Sequence, residues 1–128
     1  MKRILLSIGI FFLFMASVLI PLLIYLMRGL DEVANETINP MPIEQLEDGT
    51  YIGSYTKYRW KNTLEVRIEA GQIVSIIVID DVSFSNDQIQ TILFERIMTE
   101  NTLEVDTVVS ATVTSKAYLK AIEDALSD

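Results

Sequence analysis

Three hydroxyl side chains and one lysine lie close together near the C-terminus. An amphipathic helix is expected to begin at the same place. Thr112, Thr114 and Ser115 are followed directly by Lys116. The apolar residues that come next have helical spacing: Tyr118, Ile122, Ala125 and Leu126. Because Ser and Thr are favoured N-caps, we expect Thr114 and Ser115 to cap this helix. Free N–H groups in a first helical turn, together with the helix dipole, bind phosphate, so the pattern predicts an anion site lined by hydroxyls.

Other kinds of chemistry are excluded by composition. The chain has 128 residues with no Cys and no His. Disulfides, thiolate metal ligands and Cys nucleophiles are therefore absent, and so is the most common general base. Asp80 and Asp81 are adjacent at the end of an expected strand, where they point to opposite faces and cannot share a proton well. We therefore expect no catalytic residue and no metal site, and any catalysis would have to rest on carboxylates, hydroxyls or a bound cofactor.

Charge is distributed unevenly along the chain. All 18 acidic residues and seven of the ten basic residues follow Leu30, so this part carries a net charge of 7 − 18 = −11. Nucleic-acid binding requires the opposite sign. The only positive cluster after residue 47 contains Lys57, Arg59 and Lys61, which alternate with aromatic residues. Such a segment could pack across strands, stack on an aromatic ring of a ligand or face anionic lipid.

An uncharged apolar run extends from Ile4 to Met27. As a helix it would be about 36 Å long, enough to cross a hydrocarbon core of roughly 30 Å. Lys2 and Arg3 precede the run, which places the N-terminus in the cytoplasm by the positive-inside rule. The prediction is a single-pass anchor over residues 1–28 in the cell membrane, with the rest extracytoplasmic. A cleaved signal peptide is the alternative, although the run is longer than usual for one.

The remaining chain is predicted to be a polar linker followed by an α+β domain. Residues 29–47 contain Pro40 and Pro42 and are interpreted as a spacer that holds the domain off the bilayer. Residues 48–128 are predicted to form a small antiparallel sheet with two helices, in the order β, β, β, α, short β, α. The Ala70–Gly71 pair predicts a hairpin turn between the second and third strands.

The first helix of this domain has a recognisable start. Ser85 is the expected N-cap, and Gln88 completes a capping box three residues later. Phe84 is expected to staple onto Ile89, and the helix to end near Met98. Residues 103–109 are expected to form the short extended piece that leads into the hydroxyl cluster.

Both ends of the predicted domain resemble the FMN-binding domain found in flavin-carrying subunits of bacterial sodium-pumping and Rnf-type electron-transport complexes. The N-terminal resemblance lies in Asp48-Gly49-Thr50-Tyr51-Ile52-Gly53. At the C-terminal end the family signature is Asp, two residues, Ser-Gly-Ala-Thr, one residue, Thr-Ser and Lys-Ala. The residues that match in place are Asp106, Ala111, Thr112, Thr114, Ser115, Lys116 and Ala117. In many members the Thr of Ser-Gly-Ala-Thr carries FMN as a phosphoester, and that position is Thr112 here.

The chain departs from the family at two places. Read without gaps, Val109 and Ser110 stand where the signature has Ser and Gly; read with one deletion, Ser110 is the Ser and the Gly is missing. A His-x-Glu-Thr-Pro-like segment of many members is replaced by residues 80–84, which contain neither His nor Thr-Pro.

The resemblance implies a membrane-anchored extracytoplasmic FMN-binding domain that relays electrons. It places the cofactor at Ser110, Ala111, Thr112, Thr114, Ser115 and Lys116, either covalently through Thr112 or without a covalent bond. A flavin transferase and membrane redox proteins are the implied partners. The alternative is a flavin-free relative that kept the fold and serves as an interaction module at the outer face of the membrane.

Overall fold

The computed structural model describes residues 1–127. Within these residues, four α-helices and three strands follow one another. They are α1 (Lys2–Met27), α2 (Leu30–Ala34), β1 (Gly49–Tyr55), β2 (Asn62–Glu69), β3 (Gln72–Asp80), α3 (Asp87–Glu100) and α4 (Thr112–Leu126). A short 3-10 helix, Ile43–Gln45, lies between α2 and β1. The predicted α+β class, with a three-stranded antiparallel sheet and an apolar N-terminal helix, is confirmed; α2 was not anticipated.

The sheet has the order β1-β2-β3, and both pairs of neighbours are antiparallel. On β2 the alternate residues Leu64, Val66 and Ile68 are buried, as their spacing predicts. The turn between β2 and β3 is also as predicted: Ala70 and Gly71 have φ values of 51° and 72°. Positive φ at both central residues is typical of the two-residue hairpin turn that matches the twist of the strands.

Helix α4 lies directly against β1, and Gly53 allows this close approach. A Cβ atom added to Gly53 would lie 2.2 Å from the backbone nitrogen of Ala125 and 2.3 Å from the carbonyl oxygen of Ala121. No side chain fits in that space, since real Cβ atoms do not approach other heavy atoms so closely. The glycine of the N-terminal motif therefore fixes the distance between the sheet and the helix that begins at Thr112.

Helix α3 begins one residue later than predicted. Its N-cap is Asn86, whose side-chain oxygen accepts a hydrogen bond of 2.9 Å from the backbone of Gln88. The predicted Ser85 cap is wrong, because Phe84 has φ 60° and turns the chain so that Asn86 reaches the helix end. The Phe84 side chain is 79% exposed. The helix also continues past Met98 to Glu100, and Asn101 ends it with φ 50°.

Residues 29–47 do not form the free spacer that their polar composition suggested. Val33 and Ile43 are fully buried in the core of the domain, and Ile38, Met41 and Leu46 pack against it. Asn39 donates hydrogen bonds of 3.1 Å and 2.9 Å, from its backbone and its side chain, to the carboxylate of Glu123. The segment is therefore part of the folded domain, and α1 is followed by packed structure with almost no intervening chain.

Helix α1 is long and apolar enough to span a membrane. It has 26 residues, and no residue of it is buried against the rest of the chain. Pro21 lies inside the helix, a position that transmembrane helices tolerate.

Candidate functional site

The first turn of α4 has no side-chain cap within residues 1–127. The first helical hydrogen bond joins the backbone nitrogen of Ser115 to the carbonyl of Ala111, over 2.9 Å. The N–H groups of Thr112, Val113 and Thr114 come before that bond, so the helix itself offers them no acceptor. Ala111 is the N-cap residue and supplies no side-chain hydrogen bond. The expectation that Thr114 and Ser115 cap the helix is therefore wrong.

Ser115 has a structural role instead. Its side chain is completely buried, and its Oγ accepts a hydrogen bond of 3.1 Å from the backbone nitrogen of Val108. This contact ties the preceding loop to the helix, because it satisfies a buried N–H group that no strand pairs. The sequence did carry a signal for it: Ser115 precedes Tyr118 and Ile122 by three and seven residues, which places it on the buried stripe of the helix.

The loop before α4 is held by a side chain that the sequence analysis did not single out. Arg96 of α3 donates from Nη1 to the carbonyl oxygens of Asp106 and Thr107, at 2.9 Å and 3.3 Å. Val108 and Ala111 are buried. Residues 103–109 nevertheless do not form a strand. The expected extended piece is thus replaced by a loop that side chains from both neighbouring helices fix in place. No pattern in the sequence links Arg96 to a loop ten residues away.

A tight turn directly precedes the helix. The backbone nitrogen of Ala111 donates a hydrogen bond of 2.9 Å to the carbonyl of Val108, and Ser110 has φ 67°. A positive φ at the third residue of such a turn normally calls for Gly. In the gapless comparison, Ser110 occupies the Gly position of the FMN-binding signature. The backbone here therefore has the conformation that the Gly of the signature would adopt freely, although Ser is present.

The exposed side of this turn includes Val109 and Thr112. Val109 is 88% exposed and points into solvent, so it does not cover the helix start. Thr112 is also exposed, and Thr114 is half-buried. The structure therefore brings together an accessible hydroxyl, three N–H groups without a helical acceptor and the positive end of a helix dipole.

Lys116 lies one turn after Thr112, which places both residues on the same face of α4. Its Nζ donates a hydrogen bond of 3.1 Å to the carbonyl oxygen of Glu36. A cleft of about 470 Å³ opens beside it. The walls of the cleft come from the segment after α2, the loop after α3 and α4, and include Glu36, Thr37, Glu104, Val105 and Lys116. The cleft has the size of a small-molecule site, and Lys116, one turn after Thr112, forms part of its wall.

In the segment that contains Lys57, Arg59 and Lys61, the Trp60 ring does not stack on a ligand. The Trp60 ring is 1% exposed, and the guanidinium of Arg59 covers it at 4.1 Å from the ring centroid. Its face is therefore occupied within the protein. This segment lies against the end of α1, where Arg59 donates from Nε to the carbonyl oxygen of Leu26 over 3.2 Å.

Comparison with models of known protein families finds no match for this chain, and comparison with curated protein sequences finds none either. The resemblance to the FMN-binding domain therefore depends on the residues of its two motifs.

Proposed function

We propose that this chain is a membrane-anchored FMN-binding domain that relays electrons at the extracytoplasmic face of the membrane. The observation that carries the proposal is the uncapped, exposed start of α4. An anion is the natural ligand for such a helix end, because N–H donors and the helix dipole act on it together. The two terminal motifs that resemble the FMN-binding family support a flavin phosphate as that anion.

The residues at the helix start fit an FMN phosphate. The N–H groups of Thr112, Val113 and Thr114 supply donors, and Lys116 supplies a positive charge on the same helix face as Thr112. The cleft beside Lys116 provides room for the rest of the cofactor. Ser115 contributes by holding Val108, not by contact with the phosphate.

Attachment through Thr112 is the covalent form of the proposal. The exposed hydroxyl is accessible to a separate flavin transferase. A phosphoester bond would form between Thr112 Oγ and the FMN phosphorus, with the net loss of one water from the hydroxyl and phosphate. Because the departures at Val109 and Ser110 lie beside the attachment position, non-covalent binding at the same helix start is the second form.

Bound FMN would supply the electron-accepting and electron-donating chemistry. The protein has no Cys and no His, so its own side chains offer no thiol couple and no imidazole ligand for a redox metal. Its part would be to hold the phosphate and to fix the cofactor relative to the membrane. With Lys2 and Arg3 in the cytoplasm, α1 would place the domain on the opposite side.

A flavin-free interaction module is the second candidate, and the outer face of the sheet favours it. Ile52, Ile77 and Ile79 are all more than half exposed on that face. Ile52 and Ile77 both pair with Glu65 of β2 and therefore lie on either side of it across the sheet. Exposed apolar clusters of this kind often mark protein contacts.

The test is to co-express the full chain with a flavin transferase and measure its intact mass. We expect a mass increase of one FMN less one water and a fluorescent band on a denaturing gel. Thr112→Ala should abolish both signals, whereas Thr114→Ala, the matched control in the same helical turn, should keep them. FMN that is released on denaturation without a mass change would support the non-covalent form. A purified native protein with neither form of flavin would refute the proposal and favour the interaction module.

A further inference from the structure

The end of α1 is fixed to the loop between β1 and β2, which we call the anchor loop (residues 56–61). Arg59 of this loop donates to the carbonyl oxygen of Leu26, in the last turn of α1. The Arg28 guanidinium lies 5.0 Å from the centroid of the Tyr58 ring. The same ring packs onto Gly29, where an added Cβ would lie 2.1 Å from Tyr58 Cδ2. The membrane-length helix and the anchor loop are therefore in direct contact.

The length of α1 determines where this contact lies relative to a bilayer. A helix of 26 residues is about 39 Å long at ~1.5 Å per residue. A hydrocarbon core is roughly 30 Å thick, and the headgroup layers bring the total to about 40–45 Å. If the excess is shared between the two ends, Leu26 lies within about 5 Å of the hydrocarbon boundary. The anchor loop that binds Leu26 is then at the level of the headgroups.

A second loop lies next to the anchor loop and presents an aromatic side chain. The backbone nitrogen of Ser83 donates a hydrogen bond of 3.3 Å to the carbonyl of Arg59. Phe84 follows, and its ring centroid is 5.9 Å from the Arg59 guanidinium carbon. Its φ of 60° is rare for a bulky residue, and its side chain is almost fully exposed. In water, the Phe84 ring stays exposed, so its burial does not offset the strain of the backbone. In a lipid interface, the ring would be buried.

The basic residues near the end of α1 differ in whether they are paired with carboxylates or exposed to solvent. Lys57 forms ion pairs with Glu32 at 3.4 Å and with Glu36 at 3.0 Å. The hydrogen bond from Lys57 outweighs burial and lowers the pKa of Glu36, which keeps that pair ionised at neutral pH. Arg28 and Lys61 instead have exposed side chains. They are available to anions outside the protein.

The rest of the domain is strongly acidic, with a net charge of −11 after Leu30. An anionic lipid surface would repel most of it. The anchor loop is the only basic cluster after residue 47, and it is the part that α1 holds against the membrane. The contact of the anchor loop with α1 and its positive charge therefore both indicate that this loop faces the lipid.

We propose that the anchor loop and Phe84 form a lipid-binding surface, in which Phe84 enters the outer hydrocarbon and Arg28 and Lys61 contact headgroup phosphates. The inference rests on the membrane anchor of the proposed function, but it is independent of flavin. Its consequence is that the domain is seated on the bilayer in one orientation and does not swing on a linker. The packed residues 29–47 agree with this, because they leave no free spacer.

The experiment uses the full chain in vesicles of phosphatidylglycerol and phosphatidylcholine. The absence of native Cys allows a nitroxide label at a single introduced cysteine. Ser85→Cys reports on the loop of Phe84, and Thr99→Cys reports on the far end of α3, near the β2–β3 turn. We expect collisions with lipid-soluble oxygen, relative to an aqueous nickel chelate, to be several-fold more frequent at position 85 than at position 99. Equal ratios at the two positions would overturn the proposal.

Two substitutions test the contacts themselves. Phe84→Ser in the Ser85→Cys background should expose the label to the aqueous reagent. Lys61→Glu should do the same, whereas Arg67→Glu, an exposed residue near the other end of β2, should not. If Phe84→Ser leaves the ratio unchanged, Phe84 is not inserted; if Lys61→Glu and Arg67→Glu act alike, the headgroup contact is refuted. Trp60 fluorescence confirms that each variant is folded.

A label at Leu13→Cys separates this inference from the membrane anchor on which it depends. Position 13 lies in the middle of α1 and should be reached only by oxygen. A label at position 13 that is exposed to lipid, combined with a label at position 85 that is exposed to water, would overturn the lipid-binding surface. The membrane anchor would still be supported. Flavin attachment is read from mass and is unaffected by either result.

Discussion

Gly53→Ala tests whether the close approach of β1 and α4 determines the stability of the domain. The new Cβ would meet Ala125 N at 2.2 Å and Ala121 O at 2.3 Å, and both are backbone atoms of a helix. A rotamer change cannot relieve such a contact. The whole of α4 would therefore have to move about 1 Å away from the sheet. Overpacking typically costs about 1–3 kcal/mol. Because two backbone groups are involved here, we expect about 3 kcal/mol.

The assay is urea unfolding of the full chain in detergent micelles, followed by Trp60 fluorescence. Trp60 is the only tryptophan and is 1% exposed, so its emission should change on unfolding. With an m-value of about 1.5 kcal/mol per molar urea, a loss of about 3 kcal/mol lowers the midpoint by about 2 M.

Gly49→Ala is the matched control at the start of the same strand. A Cβ atom there would find its nearest neighbour, Tyr51 Cε2, at 3.9 Å, which is ordinary van der Waals contact. We expect a change of less than about 0.5 kcal/mol. If Gly53→Ala and Gly49→Ala unfold at the same urea concentration, the argument from close approach is refuted.

Three further substitutions probe the site and the packed segment, with the same unfolding assay. Ser110→Gly should raise stability by about 0.5–1 kcal/mol, because relief of a left-handed conformation exceeds the entropy that Gly adds to the unfolded chain; Ser110→Ala should not. Ser115→Ala should lower stability by about 1–3 kcal/mol, since the buried Val108 N–H loses its acceptor, and an unchanged midpoint would contradict that role. Burial raises the pKa of Glu123, but hydrogen bonds from Asn39 and Lys120 outweigh it and lower that pKa overall. This stabilisation is present at neutral pH and is lost as the pH falls below the ordinary value of 4.5, so Glu123→Gln should lower stability at pH 7 and flatten its decline in acid.

Much of the fold could be predicted because its signals are local. Alternation at Leu64, Val66 and Ile68 and the Ala70–Gly71 pair define a hairpin without reference to the rest of the chain. The N-cap of α3 could not be chosen in the same way. Ser85 and Asn86 are both good caps, and the left-handed Phe84 decides between them.

The packing of residues 29–47 was hidden for a different reason. Val33 and Ile43 are isolated apolar residues in a polar segment, and only the complementary surface of the domain makes their burial possible. At the candidate site, the motif correctly indicated the start of a helix near Thr112. The spacing of Ser115 from Tyr118 and Ile122 also indicated its inward position, but not its bond to Val108. That bond and the contact of Arg96 with the loop could not be predicted, because both depend on contacts between elements.

The order of elements has a consequence for how the domain is made. Helix α4 packs against the first strand of the sheet, yet it is synthesised after every other helix and strand described above. At about 5–20 residues per second, its 15 residues take roughly 1–3 s to synthesise. During that interval the apolar side chains of β2 have no cover, and a nascent chain that stops before Thr112 can pair its strands but cannot close its core. The core of the domain therefore closes only after α4 has been synthesised, however early the three strands pair.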